Sequence, residues 1–236
     1  MTVRPLLIVK TGTTDPGVVA AYGDYDDWLV EALPLTRDRI HVVRAYEHAP
    51  LPDPSEHCAV ILTGSPASVR DEEPWMSALG HWALHAAEQV PVLAVCFGHQ
   101  LVGEALGGWV EPNPQGRELG TVTLELTAEG VSDPLFAGLS DGVTVQATHG
   151  DVLVRAPRDP GVVRLAGNEN TTWQAFGWGS RLRAVQFHPE IRPEVLRALL
   201  SARDWTGEVR DGSLGPRVLE NWIAHWLPGL GRGSMG

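Results

Sequence analysis

The sequence predicts an α/β fold: a mixed, mostly parallel sheet with helices on both faces and a β-rich second half. Two patterns predict it. The first half alternates short apolar runs with segments of helical spacing, the signature of βα units. The second half carries runs that alternate with period two, as strands with one wet face do. At 236 residues the chain can bury a proper core, and residues 1–236 read as a single domain with no internal repeat and no linker.

The elements follow in order. Residues 5–10 read as a strand, and residues 22–33 as a helix through Tyr25, Leu29, Ala32 and Leu33. Residues 40–44 make a second strand, followed by a proline-rich loop over 49–54. A third strand over 58–63 runs into the turn Gly64-Ser65-Pro66. Residues 75–89 form an amphipathic helix with Trp75, Leu79, Trp82 and Ala86 on one stripe. The run Pro91-Val92-Leu93-Ala94-Val95 is a buried strand, and Leu101 to Leu106 lie in the helix after it. Strands over 122–126, 143–147 and 184–187 follow, then a helix over 195–200. A last helix over 218–226, within about 214–228, precedes a glycine-rich end at 229–236 that is expected to fray. Trp222 and Trp226, four apart, share a face of that helix and are expected to pack it onto the body.

Composition narrows the function. Hydrophobic content of 43% and charged content of 20% are ordinary for a globular protein. A net charge of −11 argues against a nucleic-acid partner, which needs a basic face to neutralise phosphates. Lys10 is the only lysine. The apolar runs are strand-sized, so no membrane span is expected. The N-terminus enters its first strand without a signal-peptide pattern, so a cytoplasmic protein is expected. The two cysteines start and end their respective strands; in parallel neighbours they would stand roughly 15 Å apart at about 3.3 Å per residue, too far to bridge. Cys58 is read as an inert core residue.

Cys96 is different. It ends the 91–95 strand and is followed at once by Phe97-Gly98-His99-Gln100, so its thiol sits on a sharp strand-to-helix turn near free helix N–H groups. Such a position favours the thiolate and has the form of a nucleophile elbow with Cys in place of Ser. Gly98 is expected to supply a backbone angle that most residues resist, and Ala94 is small enough for close helix packing. His188-Pro189-Glu190 has its own logic. The residue before proline is pushed to extended geometry, and residues two apart on an extended chain point the same way. Glu190 can then orient one imidazole nitrogen of His188 while the other faces a thiol, giving a Cys-His-Glu triad. Attack on an amide carbon needs donors for an oxyanion. The Phe97 N–H is one candidate; the Gly64-Ser65-Pro66 turn offers the other, Ser65 before Gly64. All three segments lie just past C-terminal ends of strands, where open parallel sheets bind ligands.

These motifs, with Thr148-His149-Gly150-Asp151 between them, resemble the class I (triad-type) glutamine amidotransferases, and among them the glutaminase domain of GMP synthase and its stand-alone relatives. The resemblance covers about residues 5–200. It implies a flavodoxin-like sheet and hydrolysis of a glutamine side-chain amide to glutamate and ammonia through a γ-glutamyl thioester. Cys96 would be the nucleophile, His188 the base and acid, and Glu190 its partner. Gln100 would hold the small-molecule substrate, and His149, Gly150 and Asp151 would present the segment facing its α-amino-acid end. No cofactor and no metal are implied. The motif-bearing region fills most of the chain, so an ammonia-accepting synthetase would be a separate subunit. The sequence departs from the family at Ser65 (usually Gly), Ala94 (usually Gly) and His99 (usually apolar), features shared with a subgroup that includes γ-glutamyl peptidases. Two alternatives therefore stand beside the glutaminase: a γ-glutamyl peptidase, and a non-catalytic binding protein on the same fold. His99 either tunes the thiolate or fills space. His81 and His85, four apart, read as a polar helix face, since the stretch lacks the Glu of a metalloprotease motif.

Overall fold

The computed structural model describes residues 4–140 and 142–228. Five short apolar strands form its parallel half: β1 (Leu6–Lys10), β2 (Ile40–Arg44), β3 (Ala59–Leu62), β4 (Val92–Val95) and β11 (Leu182–Val185). Their order is β2-β1-β3-β4-β11. The sheet continues antiparallel through β10 (Ala175–Trp178), β9 (Val162–Gly167), β6 (Glu118–Leu126) and β7 (Val143–His149). A separate two-stranded sheet pairs β5 (Trp109–Pro112) with β8 (Asp151–Arg155).

The central strands are apolar on both faces because both faces are covered. Successive residues point opposite ways. Ile8, Ile61, Leu93 and Val95 pack on one side with Leu29 of α2 (Tyr25–Ala32) and with Val218, Leu219 and Trp222 of α7 (Gly215–Trp226). Leu7, Val60, Leu62 and Ala94 pack on the other with Met76, Leu79 and Ala83 of α3 (Pro74–Ala87) and with Leu101 and Val102 of α4 (Phe97–Ala105). Trp222 is fully buried, and the Trp226 indole N–H donates to Ser180 O at 2.8 Å, so the last helix does pack onto the body. Cys58, just before β3, is partly buried against this core, and the two cysteines are free.

Several expectations need correction. The helix read over 22–33 is α2 with a later start: Asp24 caps it in a reciprocal box with Asp27, whereas Tyr22 belongs to a separate helix, α1 (Pro16–Tyr22), that ends at Gly23 with φ 76°. The strand read over 184–187 ends at Val185, and the Gln186 N–H adds one further bond in the β10–β11 register, to Gln174 O at 2.8 Å. Strands 122–126 and 143–147 reach back to Glu118 and on to His149. β5, β8, β9 and β10 carry no sustained alternation in the sequence, and α1 is too short to show helical periodicity. The remaining α-helices among the described residues are α5 (Ala128–Ser132) and α6 (Pro193–Ala202). The 229–236 end lies outside the described residues. Among the described residues, no helix is long and apolar enough to cross a membrane.

Lys10 anchors the entry to α2. Its ammonium lies 2.8 Å from Asp24 and 2.7 Å from Asp26, all three side chains nearly buried. Burial works against the charged amine, but the two carboxylates outweigh it and raise its pKa. This pair fixes the helix that carries Tyr25 toward the cleft described below. Replacing Lys10 by Met should strand two buried carboxylates and lower unfolding free energy by about 3–5 kcal/mol; urea denaturation of the two proteins checks this.

Candidate active site

Parallel pairing brings the C-terminal ends of β3, β4 and β11 to one edge. The Cys96 N–H donates to Val185 O at 2.8 Å, so the cysteine continues the β4–β11 ladder by one bond. It then turns sharply, with φ 50° and ψ −99°, and caps α4. A non-glycine residue at positive φ stores strain, and such strain concentrates at functional sites. The unusual angle falls on Cys96 and not on Gly98, contrary to the sequence expectation. Gly98 serves proximity: a Cβ there would stand 2.8 Å from Leu62 Cβ, so only glycine lets α4 settle on β3.

His188 follows β11. Its N–H donates to Gln146 O at 2.8 Å, tying it to the far edge strand β7, which returns to this end of the molecule. Its Nδ1 is 2.7 Å from Glu190 Oε1, and both side chains are buried. The other Glu190 oxygen has no hydrogen-bond partner among the described residues, so the carboxylate is committed to the imidazole. Burial alone would lower the His188 pKa, yet Glu190 and the Cys96 sulfur, which the ring also contacts, push it up to about 10. Tyr25 stacks on the ring at 6.2 Å, and burial together with Cys96 raises its own pKa, keeping it a neutral phenol. Gly64 completes the fit: a Cβ there would come within 2.7 Å of His188 Cε1.

A cleft of about 390 Å³ opens over the sulfur, within the range of small-molecule sites. Ser65, Phe97, Gln100, Gly150 and Asp151 line it with Cys96. The N–H groups of Gly64 and Ser65 have no acceptor among the described residues, and Phe97, first in α4, has an amide with no intrahelical partner. Gly64 is not part of the lining. Gln100 Nε2 donates to Asp151 O at 2.8 Å and to Gln186 Oε1 at 3.3 Å. The Asp151 carboxylate is taken by Ser68 at 2.5 Å and by Arg70 at 3.7 Å. His149 also lines the cleft, with its ring 1% exposed and Nε2 2.9 Å from Glu118. Glu118 also accepts from Asn168, Thr171 and Gln174. Burial opposes its charge, but His149 and these donors hold its pKa below the usual value. His99 is fully buried 4.9 Å from Phe176, and burial lowers its pKa to about 3. A neutral ring has no charge with which to tune a thiolate, so His99 fills space. His81 and His85 bond locally, to Ser77 O and to Gln89.

Sequence reading missed several residues. Gln186 Nε2 lies 3.6 Å from the Cys96 sulfur; the two-residue spacing that aligned His188 with Glu190 could have found it. Tyr25, Arg117, Arg203 and Trp205 reach the site from distant segments, and no local signal announces them.

Comparison with known proteins gives the family. The family model for "Glutamine amidotransferase class-I" matches residues 18–203. The chain belongs to that family. It is 39% identical over 140 residues to a GMP synthase [glutamine-hydrolyzing] of Syntrophomonas wolfei, a match covering 57% of this chain and 24% of that protein. The chain thus spans about a quarter of the length of that synthase. It is 28% identical over 211 residues to a glutamine amidotransferase-like protein of Schizosaccharomyces pombe, covering 83% of this chain and 82% of that one. A crystal structure of a glutamine amidotransferase from Methylobacillus flagellatus shares the fold at TM-score 0.71 and 22% identity, covering 99% and 98% of the two chains.

Two outcomes follow for this chain. Gly64→Ala should push His188 from the sulfur and slow alkylation of Cys96 near neutral pH by about tenfold. Peptide mapping after iodoacetamide reads this; burial raises the Cys58 pKa, so that thiol reacts slowly. The raised His188 pKa also has a stability consequence. Its contribution is fully present below about pH 6.5, the unfolded value, and is lost as pH rises through about 10. Glu190→Gln removes the main upward push, so the fall in Tm across that window should flatten in a pH series of thermal melts.

Proposed function

We propose that this amidotransferase hydrolyses a γ-glutamyl amide, with glutamine the leading substrate. The observation that carries the reading is the convergence on one cleft of a sulfur, an imidazole with its own buried carboxylate, and backbone N–H groups with no acceptor among the described residues. The Cys96 sulfur attacks the amide carbon, and the new oxyanion takes hydrogen bonds from the N–H of Phe97 and of Ser65. The His188 imidazolium gives its proton to the leaving nitrogen as the C–N bond breaks, which releases ammonia and leaves a γ-glutamyl thioester. Neutral His188 then removes a proton from water, whose oxygen attacks the thioester carbon. Collapse of the second oxyanion expels the thiolate, the imidazolium is restored, and glutamate departs. Glu190 keeps the imidazole oriented and stabilises its charge throughout. Gly150, Asp151 and Gln100 face the α-amino-acid end of the substrate. No step requires a metal or a cofactor.

The relatives named as GMP synthases suggest a destination for the ammonia: a separate synthetase subunit docked on this chain, whose presence should stimulate glutamate release. A second reading, hydrolysis of a γ-glutamyl peptide, is favoured by one observation: the cleft runs past the sulfur to Arg117, Arg203 and Trp205.

Glutamate release from glutamine and from γ-glutamyl dipeptides decides between them. Intact-mass analysis during turnover should show one γ-glutamyl unit on Cys96. Cys96→Ala should abolish activity, and Glu190→Gln should lower kcat by about 10²–10⁴-fold while leaving the fold intact. Wild-type release no faster than that of Cys96→Ala on every γ-glutamyl compound would overturn the proposal.

A further inference from the structure

The charge of the cleft is unlike that of the molecule. The chain carries 29 acidic and 18 basic residues, yet the cleft is lined by three arginines, Arg70, Arg117 and Arg203, and by one carboxylate at its surface, Asp151. Arg70 is matched, lying 3.7 Å from both Asp151 and Glu111. Arg117 and Arg203 are not: among the described residues neither forms an ion pair. Both guanidiniums instead lie over the indole of Trp205, at 4.4 Å and 4.9 Å from the ring centroid. Stacking on an aromatic face holds a guanidinium in place while leaving its edge N–H donors free for a planar anion.

The chain builds this arrangement deliberately at the end of α6. The Trp205 N–H bonds to Leu200 O at 2.9 Å and the Asp204 N–H to Ser201 O at 3.2 Å, the paired bonds of a Schellman cap. The cap requires a left-handed residue, and Asp204 takes it at φ 50°. Beyond it the chain is pinned to β6: the Thr121 N–H donates to Glu208 O at 2.7 Å, and a Cβ on Gly207 would sit 2.6 Å from Leu119 O. Trp205 itself packs against the cluster of Val195, Leu196 and Leu199. It lies two residues past the end of the family match at 203.

We infer that Arg117 and Arg203, held on Trp205, form a carboxylate-binding subsite of the cleft, so that this enzyme selects γ-glutamyl compounds by a free carboxylate. The inference rests on the hydrolase reading for the orientation of the ligand. Two substrate carboxylates could occupy the subsite. Arg117 stands against the Gly150 turn, where a Cβ on Gly150 would be 2.8 Å from its Nη1, which suits the α-carboxylate of the glutamyl group. Arg203 reaches Thr14 at 3.4 Å and Tyr25, the ring stacked on His188, which suits a carboxylate on the departing amine.

Calorimetric binding to Cys96→Ala protein tests the subsite without turnover, using L-glutamine, its α-carboxamide, γ-glutamylglycine and γ-glutamylmethylamide. Arg117→Gln or Arg203→Gln should weaken binding of carboxylate-bearing ligands by about 10–100-fold, with Lys at the same position restoring part of it. An α-carboxylate in the subsite gives that loss for every ligand except the α-carboxamide; a leaving-group carboxylate gives it for γ-glutamylglycine alone. Affinities that move less than about twofold in both Gln variants, with melting temperatures unchanged, would overturn the inference, as would absence of binding by all four ligands to the Cys96→Ala parent. Arginine-dependent binding without turnover by the Cys96-bearing protein would instead remove the hydrolase reading and leave the subsite standing.

Discussion

The ladder between β4 and β11 is the interaction on which the site depends. Val95 pairs with Val185, and the Cys96 N–H adds one further bond to Val185 O. That register brings a cysteine and a histidine 92 positions apart in sequence to the same end of neighbouring strands. Because side chains alternate along a strand, a slip of one residue would turn every apolar side chain to the other face and carry Gln186 and His188 away from the sulfur. On β11 the buried Arg183, paired with Asp133 at 2.9 Å, resists such a slip, because its neighbours Leu182 and Ala184 face the opposite, apolar side. The same contacts that stabilise the core therefore set the distances in the site.

Close approach is the second constraint, and glycine supplies it. Gly98 lets α4 lie on β3, and Gly64 leaves room for the His188 ring. The strain needed to aim the thiol is borne by Cys96 itself, held between the ladder bond at its N–H and the first turn of α4 at its carbonyl, where Gln100 N–H bonds at 3.1 Å. Such strain persists only where both flanks are rigid. Here one flank is a central strand and the other a helix packed into the core.

Buried charge is organised around these backbone features. Among the described residues Glu190 has one partner, the His188 imidazole, and its buried carboxylate is the main influence that raises the His188 pKa beside the sulfur. Lys10 with Asp24 and Asp26 fixes the start of α2, and thereby Tyr25 against the same imidazole. Glu118 with His149 stiffens the turn that carries Gly150 and Asp151. Three buried acid–base clusters thus support three walls of one cleft, while the open wall carries Arg117 and Arg203, which form no ion pair among the described residues.

Much of this was legible in the sequence. Apolar runs such as Val92-Leu93-Ala94-Val95 announce buried parallel strands, because only strands covered on both faces can be apolar throughout. The Cys96 turn and the His188-Pro189-Glu190 spacing announce their chemistry, because backbone geometry over two or three residues decides where those side chains point. Short strands such as Ala175–Trp178 and the helix Pro16–Tyr22 were not legible, since their stability comes from neighbours and not from periodicity. The tertiary structure alone decided which glycine is needed for proximity, that His99 faces inward, and that Gln186, Tyr25, Arg117, Arg203 and Trp205 join the site. Those residues meet through sheet register and a helix cap, long-range constraints to which no local stretch of sequence has access.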